Sequence, residues 1–225
     1  MTKSISPIHA WGGRCLLLIL CFFSQVWPSF SSPSDSAVYR QRMRDFIQNI
    51  SQYGKSINPN FLVISQNAHD IIMDGYDPNE TPNQDYLQAI DGLGREDLFY
   101  GYESDNKRTV QSVTREIISF LDIYEKKGVE VLVTDYASTK SKMSTSYKQN
   151  TKKGYISFAA DRRELDNIPI FPAAPFNEND SDITTIADAK NFLYVLDPSN
   201  KDYFVNETNF LSSIGQTNYD LLIID

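Results

Sequence analysis

The chain has 225 residues, of which 41% are hydrophobic and 12% aromatic, and it carries 21 Lys plus Arg against 29 Asp plus Glu. These figures are typical of one globular domain, or two at most, and exclude a disordered, collagen-like or coiled-coil protein. The net charge of -8 disfavours nucleic acid and anionic membranes as partners. The chain has only two Cys and two His, which excludes a disulfide-stapled fold and a Cys-based or His-rich metal centre.

The first 32 residues have the layout of a secretory signal peptide. Residues 1–14 carry two basic residues and no acidic one, Cys15–Phe23 is an unbroken apolar run, and Ser29-Phe30-Ser31 fits a small-x-small cleavage site. We therefore predict an extracellular mature protein with no membrane contact beyond the leader. The alternative is an uncleaved leader that anchors the protein in a membrane.

Beyond the leader, residues 36–165 alternate between helix and strand patterns. A helix is predicted over about 36–57, ending at Asn58-Pro59. Its apolar residues recur at steps of three and four and define one face, namely Tyr39, Met43, Phe46, Ile47, Ile50 and Tyr53.

The next segments, up to residue 99, predict a strand, a short helix and another strand. Phe61–Ser65 is an apolar run typical of a buried strand, and it leads into Gln66 and Asn67. Thr81-Pro82 is a helix-start signal for a short helix that extends through Ile90. A second strand lies within residues 89–99 and is interrupted by two glycines.

The middle of the chain continues the alternation. Thr109 is a candidate N-cap for a long amphipathic helix that ends at Gly128. Val129–Val133 predicts a strand that runs into Thr134-Asp135-Tyr136, and a polar stretch that predicts a helix separates it from a fourth strand over 154–159.

The C-terminal part differs in composition. Residues 166–190 are rich in Pro and Asn and predict a linker or a long surface loop. Residues 191–225 predict a strand, a short helix and a final strand. We therefore expect about six strands in total.

Strands that alternate with helices at this spacing predict an α/β fold with a parallel sheet, either a closed barrel or an open doubly wound sheet. The continuous apolar strands agree, because parallel strands are buried on both faces. The chain has no Gly-x-Gly-x-x-Gly turn and no Walker-type loop, so we expect no nucleotide and no other cofactor.

Polar side chains follow the predicted strands. Gln66 and Asn67 follow the first strand, Glu96 and Asp97 the second, and Asp135 the third. A barrel places its chemistry at the carboxyl ends of its strands. An acidic rim suits glycosidic bond cleavage, which needs a protonated carboxyl group for the leaving oxygen and a second carboxylate as nucleophile or base.

Three segments resemble the endo-α-1,4-polygalactosaminidase-like glycoside hydrolases of family 114. They are Pro59–Asn67 (PNFLVISQN), Ile90–Tyr100 (IDGLGREDLFY) and Val131–Tyr136 (VLVTDY). The resemblance covers about residues 39–160, and the string EDLFY is its most specific part. It implies an extracellular TIM-barrel hydrolase that acts on O-glycosidic bonds of an amino-sugar or galactose-type polysaccharide or oligosaccharide.

The resemblance also implies roles for particular residues. Residues 36–165 match strands five to eight of the barrel, and Glu96 matches the glutamate taken as the catalytic acid. The family's second carboxylate is an aspartate at the end of the fourth strand, where this chain has its leader instead. Asp135 is the candidate replacement.

Residues 191–196 and 219–225 resemble the first two strands of the same barrel. The resemblance therefore implies an incomplete, permuted or tandem TIM-barrel-like (β/α) unit with about six of eight strands. An open sheet of this kind has two unpaired edges. We accordingly expect self-association or pairing with a complementary half-barrel.

Side chains around the acidic rim are candidate sugar contacts. Gln66, Asn67 and Asp97 can bond sugar hydroxyls, and Tyr100 and Tyr136 can stack on sugar rings. The alternatives to an active hydrolase are a non-catalytic carbohydrate-binding pseudo-enzyme and a truncated gene fragment. The absence of the fourth-strand aspartate favours these alternatives.

Overall fold

The computed structural model of the protein describes residues 33–197 and 207–224, and the predicted signal peptide lies outside these residues. The described residues form an α/β fold. The helices are α1 (Pro33–Ile57), α2 (Gln84–Ala89), α3 (Gln111–Lys126), α4 (Lys140–Thr151) and α5 (Glu207–Gly215). The strands are β1 (Ile64–Gln66), β2 (Gly92–Glu96), β3 (Glu130–Tyr136), β4 (Ile156–Ala160), β5 (Phe192–Val195) and β6 (Leu221–Ile224).

All strand pairs are parallel, as the alternation of helix and strand predicts. Strands β1 to β4 form one sheet in the order of the sequence, and β5 pairs with β6. Phe158 of β4 lies against Phe192 of β5, with ring centroids 5.7 Å apart. The two sheets therefore pack next to each other through aromatic side chains.

The sheet is buried on both faces. On one face, the helix face, Val131 and Val133 of β3 pack in a cluster with Phe120 and other residues of α3. On the other, the inner face, Leu132 and Tyr136 of β3 pack in a second cluster with residues of β4 and β5. Successive side chains of a strand point to opposite faces, so residue parity decides which cluster a side chain joins.

Helix α1 differs from its predicted packing. Tyr39, Phe46 and Tyr53 are 63%, 46% and 71% exposed, although the periodicity placed them on the inward face. The packed face instead contains Arg44, which is buried and donates hydrogen bonds to the carbonyl oxygens of Ile71 and Met73 at 3.0 and 3.1 Å. The apolar residues span an arc wider than the packed face, so periodicity alone misassigned the outer three.

Two element boundaries also differ from the prediction. Strand β1 begins at Ile64, three residues later than the apolar run indicated. Helix α3 begins at Gln111 and not at Thr109, because the Thr109 hydroxyl donates to the carbonyl oxygen of Asp97 at 2.8 Å and caps no helix. Gly128 ends this helix as predicted, with a φ of 79° that suits glycine.

The segment 166–190 has little regular structure, but it packs onto the fold. Ile186 and Ala189, in and beside its single 3-10 turn, belong to the cluster on the inner face. Phe176 stacks on Tyr147 of α4, with centroids 4.5 Å apart. The segment is therefore a surface loop that covers both apolar clusters.

Candidate functional site

The carboxyl end of β2 carries the central acidic residue of the site. Glu96 pairs in register with Thr134 of β3. Thr134 has the same parity as Leu132 and Tyr136, so Glu96 lies on the inner face at the carboxyl edge of the sheet. The sequence predicted a carboxylate at this position.

Both carboxylate oxygens of Glu96 accept a hydrogen bond. Asn67 Nδ2 donates to Oε2 at 2.8 Å, and the Tyr136 hydroxyl donates to Oε1 at 2.5 Å. The Glu96 backbone N–H also donates to Asn67 Oδ1 at 3.0 Å. Side chains from the ends of the two flanking strands, β1 and β3, therefore fix the orientation of the carboxylate on β2.

The backbone at Asn67 has a left-handed conformation. Its φ is 61°, a value that Asn tolerates better than most residues. The Asn67 N–H donates to the Gly94 carbonyl oxygen at 2.8 Å, so the turn begins where the ladder between β1 and β2 ends. This conformation presents the Asn67 amide to Glu96.

Gln66 occupies space that a glycine leaves open. A Cβ atom on Gly94 would lie 1.9 Å from Gln66 Oε1. Gln66 and Gly94 are register partners, and both lie on the inner face. The Gln66 amide therefore lies over Gly94 of β2, on the same face of the sheet as Glu96.

Asp97 also has a left-handed backbone, with a φ of 63°. Its Oδ1 accepts a hydrogen bond from Arg163 Nη2 at 2.9 Å. Burial raises the pKa of Asp97 above its ordinary value, and the hydrogen bond from Arg163 opposes this increase. Asp97 is therefore a partner of Arg163 and does not contact Glu96 through a hydrogen bond.

Tyr136 is almost fully buried, with 2% of its surface exposed. Burial, together with the nearby Glu96 carboxylate, raises its pKa, so the phenol stays neutral and acts as a donor at any physiological pH. The guanidinium carbon of Arg163 lies 3.9 Å from the centroid of its ring. Arg163 thus covers one face of the ring, and with only 2% of the residue exposed the ring offers no open face for a sugar to stack on.

Asp135 does not lie with Glu96. It is one residue before Tyr136, so it points to the helix face, where it is completely buried. It accepts hydrogen bonds from the backbone N–H groups of Phe99 and Tyr100 at 2.7 and 3.1 Å and from the Ser146 hydroxyl at 2.5 Å. Burial raises its pKa to about 6. The proposed replacement carboxylate is thus a buried anchor for the loop after β2.

Tyr100 is also separated from the site. It is buried in the cluster on the helix face, beside Asp135. The structure therefore brings together five predicted residues and separates two, Asp135 and Tyr100. The five are Gln66, Asn67, Glu96, Asp97 and Tyr136.

Arg163 belongs to the site although the sequence analysis did not identify it. It lies three residues after the end of β4 and contacts Asp97 and Tyr136. The rule that selected Glu96 and Asp97, namely polar residues that follow a strand, would have selected this segment too.

The described part of the chain contains no group of three or more His, Cys, Asp or Glu side chains placed to hold a metal ion. Within residues 33–197 and 207–224, no helix combines the length and apolar character of a membrane span.

The arrangement at the carboxyl edge offers one oriented carboxylate, two amides and a neutral phenol, which can bind hydroxyl groups and transfer a proton.

Comparison with known proteins finds a distant relative. No family model matches the chain. An uncharacterized protein of Deinococcus radiodurans is 24% identical over 123 residues, which are 55% of this chain and 36% of the relative. The chain thus spans little more than a third of that relative's length.

Proposed function

We propose that the protein is a TIM-barrel-like O-glycosyl hydrolase of the endo-α-1,4-polygalactosaminidase type, exported to act on an amino-sugar or galactose-type polysaccharide. The observation that carries this proposal is the Glu96 carboxylate, held at the carboxyl edge of a parallel sheet by Asn67 and Tyr136. Barrel enzymes place their catalytic groups at this edge. The resemblance of the segment around Glu96 to family 114 supplies the type of reaction.

Glu96 suits the role of general acid for a geometric reason. Its Oε1 faces the buried Tyr136 hydroxyl, whereas its Oε2 faces the exposed Asn67 amide. Because the Tyr136 hydroxyl donates to Oε1, Oε2 is the oxygen that can be protonated, and its remaining lone pair can still accept from Asn67 Nδ2. Oε2 is then the oxygen that carries the proton toward the glycosidic oxygen of a bound sugar.

The amides beside Glu96 are suited to a neutral, hydroxyl-rich ligand. Gln66 supplies one carbonyl acceptor and two N–H donors, whereas Asn67 bonds Glu96 through both ends of its amide and offers its second N–H and its second carbonyl lone pair. Sugar hydroxyls pair with such groups in both senses. Tyr136 contributes its hydroxyl and not a stacking face, because Arg163 covers one face of the ring and the residue is only 2% exposed.

A second candidate function is carbohydrate binding without hydrolysis. The observation that favours it is the position of Asp135, whose carboxylate is buried on the helix face, whereas Glu96 lies on the inner face. Cleavage requires two carboxyl groups that flank the scissile bond. Asp97, the carboxylate next to Glu96 in the chain, is bonded to Arg163.

The experiment measures reducing ends released from α-1,4-linked polygalactosamine, its N-acetylated form and a galactan, together with binding to each. Glu96→Gln is compared with Glu103→Gln, a control on an exposed glutamate that pairs with Lys107 four residues later. We expect Glu96→Gln to abolish hydrolysis but to retain binding, and we expect Glu103→Gln to match the wild type in both. Full activity in Glu96→Gln refutes the hydrolase, and binding without hydrolysis in the wild type favours the second candidate.

A further inference from the structure

Arg163 connects the loop after β4 to the end of β2. Its Nη2 donates to Asp97 Oδ1 and to the carbonyl oxygen of Gly101, both at 2.9 Å, and its Nε donates to Asp105 Oδ1 at 2.6 Å. Nη1 lies 3.4 Å from the second carboxylate oxygen of Asp97. Nη2 and Nε are therefore bonded to acceptors of the protein itself, and a substrate could bind these two nitrogens only by displacing them.

The plane of the same guanidinium lies against Tyr136. A distance of 3.9 Å between the guanidinium carbon and the ring centroid is close contact for a cation on an aromatic face. The opposite end of Tyr136 donates to Glu96. Arg163, Tyr136 and Glu96 thus form a continuous chain of contacts that ends on the carboxylate.

Arg163 contacts the side chains of both Asp97 and Tyr136. Asp97 has a left-handed backbone that its surroundings must maintain, and Arg163 binds both its carboxylate and the Gly101 carbonyl four residues later. Gly101 itself has a φ of 117°, and a Cβ at this position would lie 2.2 Å from Asp97 Oδ1. The turn after Glu96 is therefore compact and closed by Arg163.

We propose that Arg163 is a positioning residue, which holds the Tyr136 ring and the Asp97–Gly101 turn so that the Glu96 carboxylate keeps one orientation. This inference rests on the proposed function of Glu96. It assigns to Arg163 a role through Tyr136 and not through contact with the sugar. Lysine cannot replace it, because an ammonium group has neither the plane that stacks on the ring nor the fork that reaches three acceptors.

The test compares Arg163→Ala and Arg163→Lys with Arg108→Ala, a control on an exposed arginine whose guanidinium makes one long hydrogen bond, 3.4 Å, to Gln149. The first measurement is kcat and KM on the α-1,4-linked galactosamine oligosaccharides. The second is the proton NMR resonance of the Tyr136 hydroxyl, assigned by its loss in Tyr136→Phe. Because it needs no substrate, the second measurement reports on positioning even in an inactive protein.

We expect Arg163→Ala to lower kcat about 10- to 100-fold, the range for a catalytic group displaced by about 1 Å, with KM changed less than about twofold. The Tyr136 hydroxyl resonance should disappear or move upfield in both Arg163 variants and stay in place in the control. Recovery of kcat by Arg163→Lys, or an unchanged resonance in Arg163→Ala, overturns the proposal. A large rise in KM with kcat unchanged also overturns it, because that result indicates direct substrate binding.

Failure of the proposed function has a different signature. If the wild type releases no reducing ends but the resonance depends on Arg163, the positioning role stands without catalysis. If the wild type hydrolyses the oligosaccharides but the resonance and kcat are independent of Arg163, the function stands and the positioning role is refuted.

Discussion

The buried carboxylate of Asp135 provides the sharpest test of the site assignment. We predict that Asp135→Ala destabilises the protein strongly whereas Asp135→Asn does so weakly. The carboxylate accepts from the backbone N–H groups of Phe99 and Tyr100, and Ala leaves both donors buried without an acceptor. Asn keeps an oxygen in the same place.

The magnitude follows from the contacts. An orphaned buried N–H costs about 1–3 kcal/mol, and the space left by the carboxylate about 1 kcal/mol more. Ser146 and Asn150 lose less, because Asn150 Nδ2 also lies 3.3 Å from the Ser146 hydroxyl oxygen. We expect the free energy of unfolding to fall by about 4 kcal/mol in Asp135→Ala and by about 1 kcal/mol in Asp135→Asn.

The assay is urea unfolding followed by far-UV circular dichroism. Tryptophan fluorescence is not suitable, because Trp11 and Trp27 both lie in the predicted signal peptide. Hydrolysis or glycan binding is measured on the same samples under conditions where each variant is folded. Equal destabilisation by Ala and Asn would refute the hydrogen-bond argument. Loss of hydrolysis in a folded Asp135→Asn would instead identify the carboxylate as a catalytic group.

The same residue predicts a pH dependence of stability. Burial raises the pKa of Asp135 from 3.8 to about 6, so between these values the folded state binds more protons than the unfolded state. Stability therefore falls as the pH rises from about 4 to about 6, by about 3 kcal/mol from this group. Asp135→Asn should remove this part of the slope. An unchanged slope in the variant would show that the pKa of Asp135 is not raised.

Three further predictions concern other parts of the fold. Burial raises the pKa of Glu125 to about 7. Glu125→Gln should therefore increase stability at pH 8, by less than about 1 kcal/mol because the group is partly exposed, and thermal unfolding at pH 5 and pH 8 checks this. Gly94→Ala should displace the Gln66 amide, because the Gln66 oxygen would lie 1.9 Å from the new Cβ. We expect this variant to bind glycan about tenfold more weakly, as measured by calorimetric titration, with little loss of stability. Arg44→Met should cost about 3 kcal/mol in urea unfolding, because it orphans two buried carbonyl groups; no change in stability would contradict it.

The sequence predicted the parallel strands and their carboxyl edge well because both depend on local signals. Continuous apolar runs bounded by polar residues predict parallel strands, and parallel strands bring their carboxyl ends to one edge. The sequence alone therefore predicts that Glu96, Asn67 and Gln66 lie on the same rim of the sheet. The contact between Glu96 and Asn67 joins residues 29 positions apart and follows directly from the pairing of β1 with β2.

The features that the sequence did not predict depend on tertiary packing. Periodicity marks a helix face as apolar but does not tell whether another element covers it, so Tyr39, Phe46 and Tyr53 were placed inward and lie exposed. Arg163 follows a strand, yet its role arises from a fold-back onto the β2 loop, with contacts 66 residues apart along the chain. Neither propensity nor motif encodes such a contact.

A difference of one residue separates the two carboxylates on which the sequence argument depended. Glu96 and Asp135 both end strands at the same edge, and being at an edge does not distinguish them. The register of the strands distinguishes them. Glu96 pairs with Thr134, and because Asp135 is the residue after Thr134, its side chain points to the opposite face of the sheet. A second carboxylate for cleavage must therefore come from a strand-end position with the parity of Glu96, where β3 supplies Tyr136. The parity of the register, and not closeness to a strand end, decides which acidic residues of such a sheet can act on one substrate.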